Sequence, residues 1–475
     1  MSKKLFWPLL AVMFWLPLPE GSKPEWAMGI LMMLVYGLAL FWLPGYALNR
    51  LPVTLAFQKA RWFHLGFILV TCWLFIQQIP LPVDWVKALS PHAWDIHSQA
   101  YLALGLPLPD LLPLSLDPFA TQVTALLALA YYLLFCLCLL LIDRPEKLKS
   151  FAWVLVISGI FQAVFGSLST LSGLEVLLFR DKTSYFGVAT GTFVNRNSFA
   201  GCLEMTLAAG MGLLIAQLNK RPSRDWHEWL HRTLKTLMSN KVILRTGLAI
   251  MVIGLVLSRS RMGNTAFFSS LMITGFLYVI CRKQLSRGMV VLFVSLLVID
   301  TAIVSQWFGL EKVVERLEQT SMERETRPNV AEVTLDAIGD YGLTGSGGGS
   351  FYTTLPTYHD GSWRGFYDLA HIDFLQFPLE FGIPAYIILA LMVLAAAWHA
   401  IAAMRQRRNR LMIGMGFTAF MGILAIMIHS SVDFNLQIPS NAAYFVVMMA
   451  LALLARYMPT PSGAARRPPP AARIR

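Results

Sequence analysis

Charged residues are scarce in this chain. Only 14% of its 475 residues are Asp, Glu, Lys or Arg, whereas 56% are hydrophobic. Soluble globular domains have about 45–50% apolar and about 25% charged residues. Together with a mean hydropathy of +0.57, this composition excludes an ordinary soluble globule and indicates a polytopic membrane protein.

Cysteine is rare as well, and the positions of the cysteines argue against two kinds of site. The five cysteines lie within apolar stretches, at positions 72, 136, 138, 202 and 281. None of them shows the CxxC spacing of a zinc site, and a disulfide framework is not indicated either. We expect no metal and no cofactor.

Long apolar stretches account for most of the sequence. Stretches of about 17–25 apolar residues are expected to form membrane-spanning helices, because lipid offers backbone groups no hydrogen-bond partner. The sequence predicts an all-α bundle of about twelve spans over residues 1–457 and no internal repeat. The predicted spans are residues 4–18, 26–44, 62–80, 120–142, 151–174, 191–217, 243–258, 264–281, 288–308, 372–398, 410–429 and 440–457. Residues 458–475, rich in Pro, Ala and Arg, are expected to form a disordered basic tail.

The positions of Lys and Arg predict the orientation of the bundle. With the N-terminus in the cytoplasm, more than two-thirds of the 39 Lys and Arg residues fall in inner loops, as the positive-inside rule requires. The net charge of +12 is therefore explained by topology and by contact with membrane lipids, and not by nucleic acid. Both termini are then cytoplasmic.

This orientation places one large polar loop, residues 309–371, on the outer face between the ninth and tenth spans. Chemistry in that loop has no access to cytoplasmic ATP or nucleotide sugars, so its energy must arrive with a substrate. Pro328 is expected to begin a short amphipathic helix in the loop, which would act as a lid and could also present Arg324 or Arg327 to the substrate. The glycine-rich residues 345–350 favour a flexible hinge or a close backbone approach to a bulky substrate over a P-loop, because no Lys-Ser/Thr follows them.

Polar and ionisable side chains recur at the outer ends of four predicted spans. Charge at membrane depth is costly, so such residues are candidates for function. The candidates are Asn195, Arg196 and Asn197, Arg259 and Arg261, His371 and Asp373, and His429 with Asp433.

Two arginines at one outer cavity favour recognition of a diphosphate, because a guanidinium group binds phosphate oxygens in a planar, bidentate manner. Arg196 and Arg261 are the candidates, with Asn195, Asn197 and Arg259 in support. The alternative is that the arginines only extend to lipid headgroups.

His371 is the candidate general base toward a hydroxyl group, since the unperturbed histidine pKa near 6.5 lies close to working pH. A structural cap at a helix end is the alternative for His371, and also for His429. Asp373 should point to another side of the helix than His371, which makes it a weak orienting partner.

Five segments are arranged in order around the one outer loop. The segments are residues 191–201 (GTFVNRNSFAG), 258–263 (SRSRMG), 340–351, 370–376 (AHIDFLQ) and 429–434 (HSSVDF). By their order and spacing, the chain over about residues 185–445 resembles the O-antigen ligase and polymerase superfamily of bacterial inner-membrane glycan transferases. Ile372 stands where an asparagine is common in that family.

The resemblance implies an inverting, metal-independent transfer of an undecaprenyl-diphosphate-linked glycan to an acceptor hydroxyl, on the periplasmic face of the inner membrane. It also implies that Arg196 and Arg261 bind the donor diphosphate and that His371 acts on the acceptor. The acceptor stays open among lipid A core, a second glycan and a protein hydroxyl. Competing interpretations are a transporter or flippase for lipid-linked oligosaccharides, which typically has two related halves, and a membrane scaffold.

Overall fold

The computed structural model describes residues 2–48, 51–217, 240–282, 321–359 and 367–460. These residues are mostly helical. In chain order the helices are α1 (Ser2–Trp15), α2 (Glu25–Ala47), α3 (Leu55–Lys59), α4 (Arg61–Gln77), α5 (Val83–Leu89), α6 (Pro91–Ala103), α7 (Pro118–Leu141), α8 (Pro145–Leu171), α9 (Arg196–Ala216), α10 (Asn240–Leu257), α11 (Arg261–Arg282), α12 (Ser321–Tyr341), α13 (Phe351–Thr354), α14 (Asp373–Phe381), α15 (Ile383–Gln406), α16 (Arg410–His429) and α17 (Pro439–Tyr457). A two-residue antiparallel pair, β1 (Leu81–Pro82) with β2 (Leu111–Leu112), closes the segment that holds α5 and α6.

Membrane-spanning helices dominate the described part of the chain. Eight of its helices are long and apolar enough to cross a membrane, namely α2, α7, α8, α9, α11, α15, α16 and α17. Shorter apolar helices lie within α1, α4 and α10. The expected all-α polytopic membrane fold is confirmed. Each predicted span overlaps one of these apolar helices except 288–308, which lies outside the described residues.

The predicted span 372–398 is wrong at its start, because a glycine breaks it. Gly382 has φ 82° and ψ 154°, a conformation that is essentially open only to glycine. A Cβ atom there would lie 2.8 Å from the carbonyl oxygen of Leu343. The chain therefore forms two helices, the short α14 and the spanning α15, and α14 remains outside the spans together with the polar segment before it.

Helix α9 forms the centre of the bundle. Nearly all of its side chains are buried, as are those of α17, whereas most of α2 faces outward. Gly212 allows α9 to approach the backbone of α16 at Gly414, and Thr418 Oγ1 donates to the Ala208 carbonyl at 3.1 Å. Small residues commonly allow such close helix packing in membranes. Contacts along its length thus fix α9, and with it the position of its first residue, Arg196.

The polar segment contains the helix α12, which begins at Ser321 rather than at Pro328. Pro328 lies inside α12 and lacks one N–H of the helical ladder without ending the helix. Val330 and Ala337 are buried in a separate apolar cluster with Leu355 and Leu379. This cluster packs α12 against α14 and against the chain that follows the glycine run.

The glycine run, residues 345–350, is packed into the protein. Its residues are buried except for one exposed position, and Gly347 has φ 111° with its Cα hydrogens facing Ser115 and Thr121. Gln77 Nε2 donates to the Thr344 carbonyl at 2.7 Å, and the Gly348 N–H donates to Gln77 Oε1 at 3.2 Å. The close backbone approach that the glycines permit in this structure is therefore to neighbouring protein atoms, and the flexible hinge stays a prediction.

Candidate active site

The first turn of α9 presents Arg196 at one end of the bundle. Asn195 caps the helix, since its side-chain oxygen accepts from the Asn197 N–H at 2.7 Å. The Arg196 guanidinium carbon lies 5.6 Å from the ring centroid of Tyr185, within the range of a cation–π contact. Arg196 is therefore the first residue of a buried helix with a defined cap, and its backbone position is rigid.

Asn197 joins this turn to the loop that follows α16. Its side-chain amide donates to Asp433 Oδ2, and Asp433 Oδ1 accepts from the Phe434 N–H at 2.8 Å. The two candidates that the sequence places at separate span ends, Asn197 and the loop after His429, are thus in direct contact.

The turn between α10 and α11 carries Arg259 and Arg261. Arg259 has φ 51°, and serine side chains replace backbone bonds around it. The Ser260 N–H donates to Ser258 Oγ at 3.1 Å, and Ser260 Oγ accepts from the Gly263 N–H at 3.1 Å. This pattern explains the Ser-Arg-Ser-Arg sequence as a capped tight turn.

Helices α9 and α11 touch at their first turns. A Cβ atom on Gly263 would lie 2.5 Å from the Cβ atom of Ala200. Arg261 and Arg196 begin the two helices, so both arginines lie at the same end of the bundle. Both helix N-termini also carry the positive end of the helix dipole there.

His371 lies against the same loop. Its ring meets the ring of Phe434 edge to face at 4.7 Å between centroids and that of Tyr367 at 6.0 Å. It is half-buried, and its φ of 55° is unusual for a residue other than glycine. Because Phe434 follows Asp433 in the chain, the histidine and the Asn197 contact share one loop.

Asp373 does not orient His371 but ties α14 to the loop after α16. Its buried carboxylate accepts from Ser430 Oγ at 2.6 Å and from the Leu436 N–H at 3.0 Å, while its own N–H faces the carbonyl oxygens of Ser430 and Asp433. Burial raises the pKa of Asp373 to about 7, against the effect of the hydrogen bonds from Ser430 and Leu436.

His429 is the last residue of α16 and is fully buried. Its Nδ1 lies 2.7 Å from Glu204 Oε1, and its Nε2 lies 4.0 Å from Asp433 Oδ2. Glu204 is not among the residues predicted from the sequence, although a glutamate within an apolar span is a sufficient signal of function. Four polar side chains therefore follow one another from the end of the bundle into its interior. They are Asn197, Asp433, His429 and Glu204.

A lysine also lies beside the loop that carries Phe434. Lys23 Nζ, in the turn between α1 and α2, lies 5.9 Å from the ring centroid of Phe434 and 3.7 Å from Asp368 Oδ2. A single lysine in a short turn gave no sequence signal beyond topology.

Arg327 belongs to α12, but its side chain lies outside the described part. In the described ranges, no group of three or more His, Cys, Asp or Glu side chains could hold a metal ion.

Comparison with known proteins identifies one family. Residues 246–390, less than a third of the chain, match the family described as O-antigen ligase. The matched segment contains Arg259, Arg261, His371 and Asp373, whereas Arg196 and His429 lie on either side of it. No curated protein matches the chain.

We expect the Glu204–His429 pair to be coupled in stability. Glu204→Leu or His429→Leu leaves the other member buried without its partner, which costs about 3–5 kcal/mol. Replacing both with leucine removes two buried polar groups together and is expected to recover much of that loss. The measurement is the midpoint of thermal unfolding in detergent, with His359→Leu at an exposed histidine as the control. A double variant as unstable as the two single losses added together would contradict the coupling.

Proposed function

We propose that this protein, a member of the O-antigen ligase superfamily by the match over residues 246–390, transfers a glycan from undecaprenyl diphosphate to an acceptor hydroxyl. The family supports a lipid-linked glycan donor and ligase or polymerase chemistry in general. The specific carrier, the inversion at the anomeric carbon and the roles of single residues are our proposal.

The observation that carries the proposal is the contact between Asn197 and Asp433. It joins the first turn of α9, which begins with Arg196, to the loop whose Phe434 packs against His371. Arg261 reaches the same end through the contact of Gly263 with Ala200. The α9 side of this contact has two arginines and two helix N-termini, which suit a diphosphate donor. The loop side has a histidine, which suits an acceptor hydroxyl beside that donor.

In the proposed reaction, the acceptor oxygen attacks the anomeric carbon of the donor from the face opposite the diphosphate. His371 takes the hydroxyl proton as the new glycosidic bond forms. The bond between the anomeric carbon and the diphosphate oxygen breaks, and its electron pair leaves with undecaprenyl diphosphate. Arg196 and Arg261 stabilise the charge that grows on the departing diphosphate, and His371 then releases its proton to water.

The distribution of Lys and Arg supports a periplasmic site in the inner membrane, with both termini cytoplasmic. The acceptor is lipid A core or a second lipid-linked glycan in this proposal, and a protein hydroxyl is the alternative. The turns that carry Arg196 and Arg261 are held in shape by Asn195, Asn197 and Arg259. From α12, Arg327 could reach the substrate.

A flippase for a lipid-linked oligosaccharide is the second candidate. The observation that favours it is the Glu204–His429 pair inside the bundle, because transporters use ionisable residues near the middle of the membrane. Such a protein would move the lipid-linked glycan across the membrane without forming a new glycosidic bond.

His371→Ala is expected to lower glycan transfer by about 10²-fold or more, the usual contribution of a general base. The rate is measured in proteoliposomes with a defined lipid-diphosphate glycan, and the amount of inserted protein should not change. His359→Ala, at an exposed histidine of the same polar segment, is the control for the loss of an imidazole and should lower transfer far less than His371→Ala. Full activity of His371→Ala would remove this residue from the catalytic role.

Arg196→Ala and Arg261→Ala are expected to raise the KM for the lipid-diphosphate donor and to lower kcat, because the diphosphate loses bidentate contacts both when bound and when leaving. Lysine at either position keeps the charge without the planar geometry, so its effect should be smaller. Arg180→Ala, which breaks an exposed pair with Glu20, is the control. Unchanged saturation by the donor in both alanine variants would refute the arginine clamp.

A further inference from the structure

A second buried polar cluster, Gln376 and Glu380, is bonded to the residue that precedes His371. Gln376 and Glu380 are four residues apart on α14, so their side chains share one face of the helix. Both residues are buried, with 1% and 2% of their surface exposed. Neither has a part in the reaction described above, and a buried carboxylate requires a reason.

Hydrogen bonds connect this pair to the residue before the histidine. The Ala370 N–H donates to Gln376 Oε1 at 3.1 Å, and Gln376 Nε2 donates to Glu380 Oε1 at 2.9 Å. The amide of Gln376 has one acceptor end and one donor end. Its orientation is therefore fixed, with the carbonyl toward Ala370 and the amino group toward the carboxylate.

The carboxylate of Glu380 in turn holds the chain after the glycine run. Its Oε2 accepts from the Gly349 N–H at 2.9 Å, and its Oε1 accepts from the Phe351 N–H at 3.3 Å. Gln77 Nε2 donates to the Glu380 backbone carbonyl at 3.0 Å. Hydrogen bonds from Gly349, Phe351 and Gln77 thus fix the position of Glu380. The fixed carboxylate in turn holds the amino group of Gln376.

The backbone of His371 requires such support. Its φ of 55° lies in the left-handed region, which costs a residue other than glycine about 1–3 kcal/mol and persists only where the surroundings enforce it. On the C-terminal side, the Asp373 N–H is bonded to the loop after α16. On the N-terminal side, the bond from Ala370 to Gln376 is the matching anchor. The histidine is therefore held between two bonded residues.

We propose that Gln376 and Glu380 are positioning residues for His371, holding its ring toward the acceptor through the Ala370 N–H. This inference rests on the proposed function of His371 as the general base. The alternative is that the pair only fixes the glycine run to α14. A structural role of that kind would change protein stability but would not single out the catalytic step.

Exchanging the two side chains separates these possibilities. In Glu380→Gln, one carboxylate oxygen becomes an amino group. In the Oε1 place this amino group opposes the Gln376 amino group and the Phe351 N–H, and in the Oε2 place it opposes the Gly349 N–H, so that one anchor is lost in either orientation. In Gln376→Glu, two carboxyl groups face each other and must repel or share a proton. The double variant Gln376→Glu/Glu380→Gln restores a donor and an acceptor between the positions: the carboxylate at position 376 accepts from the Ala370 N–H and from the new amino group, the new amide oxygen accepts from the Gly349 N–H, and only the long bond from Phe351 is lost.

We expect each single variant to lower kcat by about 10-fold or more, since a small misplacement of a catalytic group can cost about 10²-fold. The KM for the lipid-diphosphate donor should change by less than about twofold, because the arginines belong to other helices. The exchanged double variant should recover most of kcat. The readouts are kcat and KM in proteoliposomes and the midpoint of thermal unfolding, with Gln406→Glu at the exposed end of α15 as the control for added charge.

Full kcat in both single variants would overturn the inference. So would a folded double variant whose kcat stays as low as that of the single variants. If a single variant does not insert or fold, the double variant is compared with the unchanged protein: recovery of most of kcat supports the inference, and a folded double variant with a low kcat overturns it. His371→Ala is assayed in parallel. Full activity of His371→Ala overturns the proposed role of His371 as the general base, whereas the expected loss with His371→Ala and full activity in the Gln376 and Glu380 variants overturns only this inference.

Discussion

The hydrogen bonds of the buried Asp373 side chain are the interaction on which one end of the bundle depends, the end that carries Arg196 and His371. A carboxylate without water must be surrounded by hydrogen-bond donors, and here the donors are Ser430 Oγ and the Leu436 N–H. Both belong to the loop between α16 and α17. Asp373 therefore fixes the return of the polar segment to the loop that carries Asp433 and Phe434, and with it the place of His371.

The central helix α9 supplies the other half of the site. Its small residues allow it to pack closely against α16 and α11, and its first residue is Arg196. The contact from Asn197 to Asp433 then joins the two halves. Helix ends and short loops of the bundle thus carry the candidate residues that the structure describes.

The fold class follows from the sequence because hydropathy is a local property, and so does the recurrence of polar residues at span ends. The broken span at Gly382 did not follow, since α14 is itself apolar enough to continue α15. The burial of the glycine run did not follow either, because it depends on Gln77, Ser115 and Glu380, which are distant in sequence. The partners of Asp373 and His429 are likewise distant in sequence, and the residue spacing within one helix does not predict them. The span 288–308, the Arg327 side chain and residues 461–475 lie outside the part that the structure describes, so those predictions stay as made.

The most direct test of the account is to analyse the products that the purified protein forms from a defined undecaprenyl-diphosphate glycan. The donor is offered in proteoliposomes, once with lipid A core and once with a second lipid-linked glycan, and the products are analysed by mass spectrometry. The account predicts a new glycosidic product with one of these acceptors and an equal amount of released undecaprenyl diphosphate. An intact donor with no new glycosidic bond in either mixture, moved across the membrane by the protein, would contradict it.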